Sequence, residues 1–339
     1  MGDTHWSPTG RREPPAERSR ELFRQEGGSL QGDDSRQALP KVGVAVFAYN
    51  EERLIGGALD RFEAMRDEAV LEVHVLVNGC TDRTEDIVRA RAATRPWIHP
   101  VVIARGDKAN AWNTYVHETA PLDAAVHVFT DGDVRIRPGA IAALVRRLAE
   151  VPHANACAGV PGSGRSAEAL RRRIVEDGEM YGNLYALRGS FVAELRRRGV
   201  RLPFGMFGED GLVTALVWCD LDPRKPFDRS RVTAAEDAVY EFDALSPWRL
   251  GDWRIYRNRK RRYALRLRQG EMLWSLLQEH GLNAMPAHVV DLYLLKGAEL
   301  KPRGRGLNRL FDWEARRWIR KAIAAAEAAK AREAAHLFS

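Results

Sequence analysis

Ala125-Val126-His127-Val128-Phe129-Thr130-Asp131-Gly132-Asp133 is the stretch that decides how this chain is read. The run over 125–130 predicts a buried strand. Two carboxylates follow it at i and i+2, just past the strand end, where they can converge on one cation. Gly132 lets the backbone bend so that no side chain blocks the approach. Hard divalent ions such as Mg²⁺ or Mn²⁺ take oxygen ligands of this kind and commonly share them with phosphate oxygens. The triplet points to a site where a metal holds a diphosphate. Asp-Gly-Asp is also an ordinary turn sequence, so its neighbours along the chain have to decide.

The same pattern recurs on either side of this stretch. Val42–Phe47, Val73–Val77, Val101–Ala104 and Ala156–Val160 are short apolar runs, as strands covered on both faces require. Between them Leu54, Ala58, Leu59, Phe62 and Met65 follow helical spacing, and helices are also predicted over 84–93, 108–118 and 140–148. Alternation of this kind predicts an α/β fold with a mainly parallel sheet covered by helices. Ligands of such sheets bind beyond the carboxyl ends of the strands. Polar clusters sit at four such ends: Tyr49-Asn50-Glu51-Glu52, Asn78-Gly79-Cys80-Thr81-Asp82, Arg105-Gly106-Asp107-Lys108 and Asp131-Gly132-Asp133. Taken singly, Asn78-Gly79 is a turn and Lys108 a solvated charge; together they make one rim. Downstream, Glu209-Asp210 opens a helix-like run to Trp218, where an acidic pair suits the helix dipole or a catalytic role equally.

Composition bounds the alternatives. The 339 residues allow a large core, 45% of them are apolar, and the formal charge is +7. Arg and Lys crowd 249–268 and recur over 303–320, which favours anionic partners. Three widely spaced cysteines without a Cys-x-x-Cys argue against a disulfide framework or a zinc site and fit a reducing compartment. Residues 1–39 are polar, charged and poor in aliphatics, and are expected to form a disordered arm. The start lacks an apolar signal core, and no run of about 18 uncharged apolar residues occurs. The expected location is cytoplasmic, with peripheral contact at the inner face of the membrane as the alternative. Residues 40–245 are expected to form the catalytic domain and 246–339 a basic helical extension packed on it.

The order of the motifs resembles the family-2 glycosyltransferases, which have the GT-A fold. Phe47-Ala48-Tyr49-Asn50-Glu51-Glu52 is similar to the family's Pro-x-Tyr-Asn-Glu-Glu, with Phe for Pro. Val77–Thr84 is similar to its Asp-Asp-Gly-Ser-Thr-Asp-x-Thr turn, Gly106–Asn113 to its Gly-Lys-x-x-Ala-Leu-Asn segment, and Asp131-Gly132-Asp133 to its Asp-x-Asp motif. Glu209-Asp210 matches its Glu-Asp pair, and Arg259-Lys260-Arg261-Arg262-Tyr263 resembles Gln-x-x-Arg-Trp. The match spans roughly 41–265.

The resemblance implies a metal-dependent, inverting transfer of a sugar from a nucleotide-diphospho-sugar, UDP-sugars favoured, to an acceptor hydroxyl. It implies that Ala48, Tyr49 and Glu51 line the nucleoside pocket, with Asn78 at the base edge, and that Lys108 lies near the diphosphate. Asp131 would contact ribose or metal, and Asp133 would bind Mg²⁺ or Mn²⁺. Asp210 would be the base and Glu209 the neighbour that orients it. Arg259 and Arg262 would close over the diphosphate, with a solvated basic helix as the competing reading. Processive members commonly carry membrane helices, so a single transfer is expected here. The acceptor, whether a small molecule, a glycan or a lipid, would meet the region around Gly182–Arg188, Met180, Tyr181, Met206 and Phe207, or those residues are core.

Two other readings compete. A sugar-phosphate nucleotidyltransferase would carry a Gly-rich phosphate loop where Tyr49-Asn50-Glu51-Glu52 stands. A nucleic-acid-binding protein would use the basic C-terminal stretch, yet no zinc-finger, helix-turn-helix or RNA-binding aromatic signature supports it. No nucleic-acid partner is therefore expected. The tail over 310–338 reads as a docked helix, or as a basic amphipathic helix on anionic lipid.

Overall fold

The computed structural model describes residues 39–337, apart from Arg165, residues 243–249, residues 298–299 and Arg305. The arm expected over 1–39 falls almost wholly outside the described residues, and so does the boundary expected at 245/246.

Continuous apolar runs become the central strands. β1 (Lys41–Ala48), β2 (Val70–Asn78), β3 (Ile98–Ile103) and β4 (Val126–Asp131) pair parallel, with Val42 opposite Leu71 on one side and Val126 on the other. The rest of the sheet is mixed. It is built from β5 (Arg135–Ile136), β6 (Ala156–Pro161), β7 (Leu184–Arg188) and β8 (Val232–Glu241), in the order β3-β2-β1-β4-β7-β6-β8-β5. β7 runs antiparallel to both β4 and β6, whereas β6 and β8 are parallel. Strand β3 begins three residues earlier than its apolar run, through Pro100. An edge strand tolerates a residue without an N–H.

Alternate residues of each strand feed opposite cores. Val42, Val44 and Val46 pack with Ile55, Leu59 and Phe62 of α1 (Ile55–Glu63), Val88 of α2 (Thr84–Ala92) and Ile141, Leu144 and Leu148 of α4 (Ala140–Glu150). Ala45, Phe47 and Phe129 face Trp112 of α3 (Lys108–Thr114), Val192 of α6 (Gly189–Arg197) and Leu216 of α7 (Glu209–Trp218). The same core takes Leu273 and Leu277 of α8 (Leu250–His280), Leu292 of α9 (Val289–Lys296) and Ile319 of α10 (Leu307–Leu337). One further helix, α5 (Ala167–Asp177), lies between β6 and β7 in the chain.

Helix α3 is shorter than its spacing predicts. After Thr114 the backbone widens into a π-helical turn, Tyr115–Thr119, ahead of Pro121. The Arg196 guanidinium donates to the carbonyls of Val116 and Ala120, satisfying acceptors that the end of the helix leaves open. The helix is held to its neighbours by buried polar contacts. Trp112 Nε1 donates to Tyr185 Oη at 3.1 Å, and the Asn113 side chain exchanges two 2.8 Å hydrogen bonds with the Leu202 backbone. Truncating a fully buried Trp such as Trp112 to Ala would cost about 3–5 kcal/mol.

Candidate active site

The polar rim assembles beyond the carboxyl ends of β1, β2 and β4. Asn50 sits at φ 55°, and its Oδ1 accepts the Thr81 N–H at 2.8 Å, joining the loops after β1 and β2. Around it the Glu51 N–H donates to Thr84 Oγ1 at 2.8 Å, the Glu52 N–H to Asp82 Oδ2 at 3.1 Å, and Cys80 Sγ to the Ala48 carbonyl at 3.4 Å. Ala48 is buried, while Tyr49 is 59% exposed. Its ring lies beside Gly106, where an added Cβ would come within 3.5 Å of it. The Asn78 side chain is buried and its Oδ1 accepts the Asp107 N–H at 2.9 Å, so that oxygen secures the loop after β3.

Asp107 caps α3. Its Oδ1 accepts the Asn110 N–H at 2.7 Å, as an N-cap should, and its Oδ2 accepts the Gly205 N–H at 2.7 Å. The cap aims Lys108 into the cleft. Lys108 Nζ lies 2.5 Å from Asp131 Oδ1 and 2.9 Å from Glu209 Oε1, bridging the end of β4 to the start of α7. Gly182 makes this approach possible, because a Cβ there would stand 2.9 Å from Lys108 Nζ and 3.5 Å from Glu209 Oε1.

Asp210 lies next along α7, with both side-chain oxygens engaged. Oδ2 accepts the Gly182 N–H at 3.1 Å; Oδ1 accepts the Gly211 N–H at 2.9 Å and meets the Arg266 guanidinium at 2.9 Å. Arg266 crosses over Gly208, whose φ is 76° and whose added Cβ would sit 2.2 Å from Arg266 Nε, so a side chain at position 208 is excluded twice over. Gln269, one turn further along α8, accepts the Phe207 N–H at 2.8 Å and donates to Tyr293 Oη at 2.6 Å. The loop before Glu209 is thus gripped by Asp107 from one side and by α8 from the other.

The charges explain the titration behaviour. Burial, together with the negative charges of Asp133, Asp131 and Asp82, pushes the Glu51 carboxyl up to about 7. Burial also pushes Asp131 up to about 6 against the pull of Lys108. Burial disfavours the Lys108 charge, but Asp131 and Glu209 outweigh it and hold the ammonium well above its ordinary range. The cleft holds more carboxylates than its two inward cations neutralise.

Among the described residues no group of three or more His, Cys, Asp or Glu side chains is arranged to hold a metal by itself. Mg²⁺ and Mn²⁺ sites completed by phosphates need only one or two carboxylates. Asp131 and Asp133, whose charges raise Glu51, fit that requirement.

The structure therefore brings Glu51, Lys108, Asp131, Asp133, Glu209 and Asp210 to one rim. Arg259 and Arg262 are exposed and lie on the helical face of α8 that carries Arg266, by spacings of three and four. The sequence places Asp107 only within the Arg105–Lys108 cluster and gives Arg266 and Gln269 no role. The available signals were the Asp-x-x-Asn cap at Asp107–Asn110 and the arginine repeat along one face of α8.

Residues 43–208 match the family described as Glycosyl transferase family 2. No curated protein matches the chain. Among solved structures, a mannosyltransferase from Pyrobaculum calidifontis, in complex with GDP-Man and Mn²⁺, aligns at 23% identity with a TM-score of 0.52, over 89% of this chain and 79% of its own. A glucosyl-3-phosphoglycerate synthase from Mycobacterium tuberculosis aligns at 18% identity with a TM-score of 0.48, over 70% of this chain and 79% of its own.

Proposed function

Because this chain carries a family-2 glycosyltransferase domain and is a glycosyltransferase, we propose that it moves one sugar from a nucleotide-diphospho-sugar to an acceptor hydroxyl with inversion, assisted by a divalent cation. The observation that carries this reading is the Lys108 bridge between Asp131 and Glu209. It unites the Asp-x-Asp strand end with the acidic start of α7 across Gly182.

In this reading the nucleoside lies against the exposed ring of Tyr49, near Ala48, Glu51 and the amide of Asn78. Asp131 and Asp133 would hold Mg²⁺ or Mn²⁺, which when bound would screen the charge that gathers on the departing diphosphate. Lys108 offers its ammonium to the same oxygens. Arg259 and Arg262, on the face of α8 that reaches the site, supply further positive charge.

Asp210 takes the proton from the acceptor hydroxyl as its oxygen attacks the anomeric carbon. The bond from that carbon to the diphosphate oxygen breaks, and its electron pair leaves with the nucleotide. A positioned base contributes about 10²- to 10⁴-fold. Two backbone N–H groups and Arg266 fix the Asp210 carboxylate, so its orientation is set before substrate arrives. Glu209 is tied to Lys108 and acts by positioning. UDP-sugars remain the favoured donors by the resemblance of the motifs, with GDP-sugars the competing choice. The catalytic unit is assigned to 40–245 and the basic extension to 246–339.

The test is a thermal-shift panel of UDP, GDP, dTDP and CMP with and without Mn²⁺. A ligand at 100 times its Kd adds about 2.7 kcal/mol to the folded state. Stabilisation by one diphosphate that requires Mn²⁺ and disappears in Asp133→Asn is the expected result. A nucleotide response that ignores both the metal and the substitution would sink the metal assignment.

A further inference from the structure

Helix α10 shows solvent an unusual face. Its inner side is anchored: Arg268 meets Asp312 at 2.6 Å and donates to the Lys301 carbonyl at 2.7 Å, while Ala315 and Ile319 are buried. Two of its acids, Asp312 and Glu314, are spent on neighbours, whereas Glu327 is exposed six residues beyond Lys321. Asp312 also pairs with Arg316, and Glu314 pairs with Arg257 and Arg261 of α8, each at 3.1 Å. The outer side carries Leu310, 49% exposed, and Trp313, 43% exposed, with Trp318 on the flank. At 100° per residue Arg309, Arg317, Arg320 and Lys321 fall around them, all exposed. None of these four cations forms an ion pair among the described residues; the Arg317 guanidinium lies 5.4 Å from the Trp313 ring.

We propose that this outer face of α10 is a docking surface for an anionic lipid bilayer. Exposed Trp and Leu flanked by exposed cations match the chemistry of the headgroup region. There the indole is wetted at one edge and buried at the other, and Arg and Lys meet anionic headgroups. A nucleic acid would use the cations but gain little from Leu310. Among the described residues no helix is long and apolar enough to cross a membrane, so the contact is peripheral. The helix is already folded and fixed by the buried Arg268–Asp312 pair, so docking needs no backbone ordering there. The proposal stands independently of the transferase reading, because it concerns residues outside the cleft.

The experiment is co-sedimentation of the full chain with large unilamellar vesicles of pure phosphatidylcholine and of phosphatidylcholine with 30% phosphatidylglycerol, at low and high salt. Binding is expected only to the anionic vesicles, with a blue shift of tryptophan emission, and is expected to weaken with salt. Each cation near an anionic surface contributes about fivefold in partitioning, so Arg317→Glu/Arg320→Glu should weaken binding at least 25-fold. Leu310→Ser/Trp313→Ser should abolish the emission shift and weaken binding at least tenfold. Both pairs are exposed, and an unchanged melting curve would show that the fold is retained. Equal binding to neutral vesicles, binding unaffected by either pair, or a salt-sensitive mobility shift with duplex DNA in place of vesicle binding would each overturn the proposal.

Discussion

The pairing of Asp210 with Arg266 predicts an energetic coupling that four proteins can measure. Asp210 is 7% exposed, and the guanidinium stands 2.9 Å from its Oδ1. Replacing Arg266 by Leu removes the guanidinium from a buried ion pair, a change that generally costs about 3–5 kcal/mol. Here the N–H groups of Gly182 and Gly211 still support the carboxylate, so about 2 kcal/mol is the expected loss. Asp210→Asn removes the charge and leaves the guanidinium facing an amide. The double variant has neither stranded charge and should be destabilised by less than the sum of the two. The expected coupling is about 1–3 kcal/mol. Arg266→Lys keeps the charge without the planar fork and should recover only part of the loss. The assay is equilibrium denaturation of wild type, both single variants and the double variant at pH 7.5, with a common slope on denaturant. Additivity within about 0.5 kcal/mol would refute the argument that Arg266 holds Asp210.

Two further outcomes follow from the geometry. Gly182→Ala should leave the melting temperature nearly unchanged, because the flexible end of Lys108 can yield, yet cut turnover at least tenfold by displacing the Lys108–Glu209 contact; wild-type turnover would contradict the arrangement. Burial, with like charge from neighbouring His99 and Arg196 respectively, lowers His74 and His127 to about 4. These folded values lie below the unfolded one, so the stabilisation is fully present above pH 6.5 and is lost as pH falls toward 4. It amounts to about 3 kcal/mol per ring at most. Ring titration by NMR should give midpoints below 5, and a midpoint near 6.5 for either histidine would contradict it.

Much of the central sheet can be read from sequence, because a strand buried on both faces is mostly apolar. β1, β2, β4 and β6 therefore announce themselves as apolar runs, interrupted by His74 in β2 and His127 in β4. Strand order is different in kind. β7 is five residues long, and nothing local says that it enters antiparallel between β4 and β6. The site divides in the same way. Residues at strand ends are legible, since the turn that follows each strand has to be polar. Arg266 is not, because Arg259, Arg262 and Arg266 share one face of α8, and sequence alone does not tell how deeply that helix docks. The depth is set by Gln269, whose side chain reaches the loop at Gly205 and Phe207. The stretch that resembles the family motif ends short of Arg266 and contains only Arg259 and Arg262 of the three.

Every residue of α7 is buried, from Glu209 to Trp218. A helix without a solvent side has no hinge to offer. The carboxylates at its first turn share the rigidity of the protein's interior, while Tyr49, Lys108 and Gly182 stand on loops or at element ends. Under the proposed reaction, differences in acceptor would be accommodated by the residues around Asp210, with Asp210 itself held in place. Mutational drift that alters what this enzyme glycosylates would be found around α7 and seldom within it.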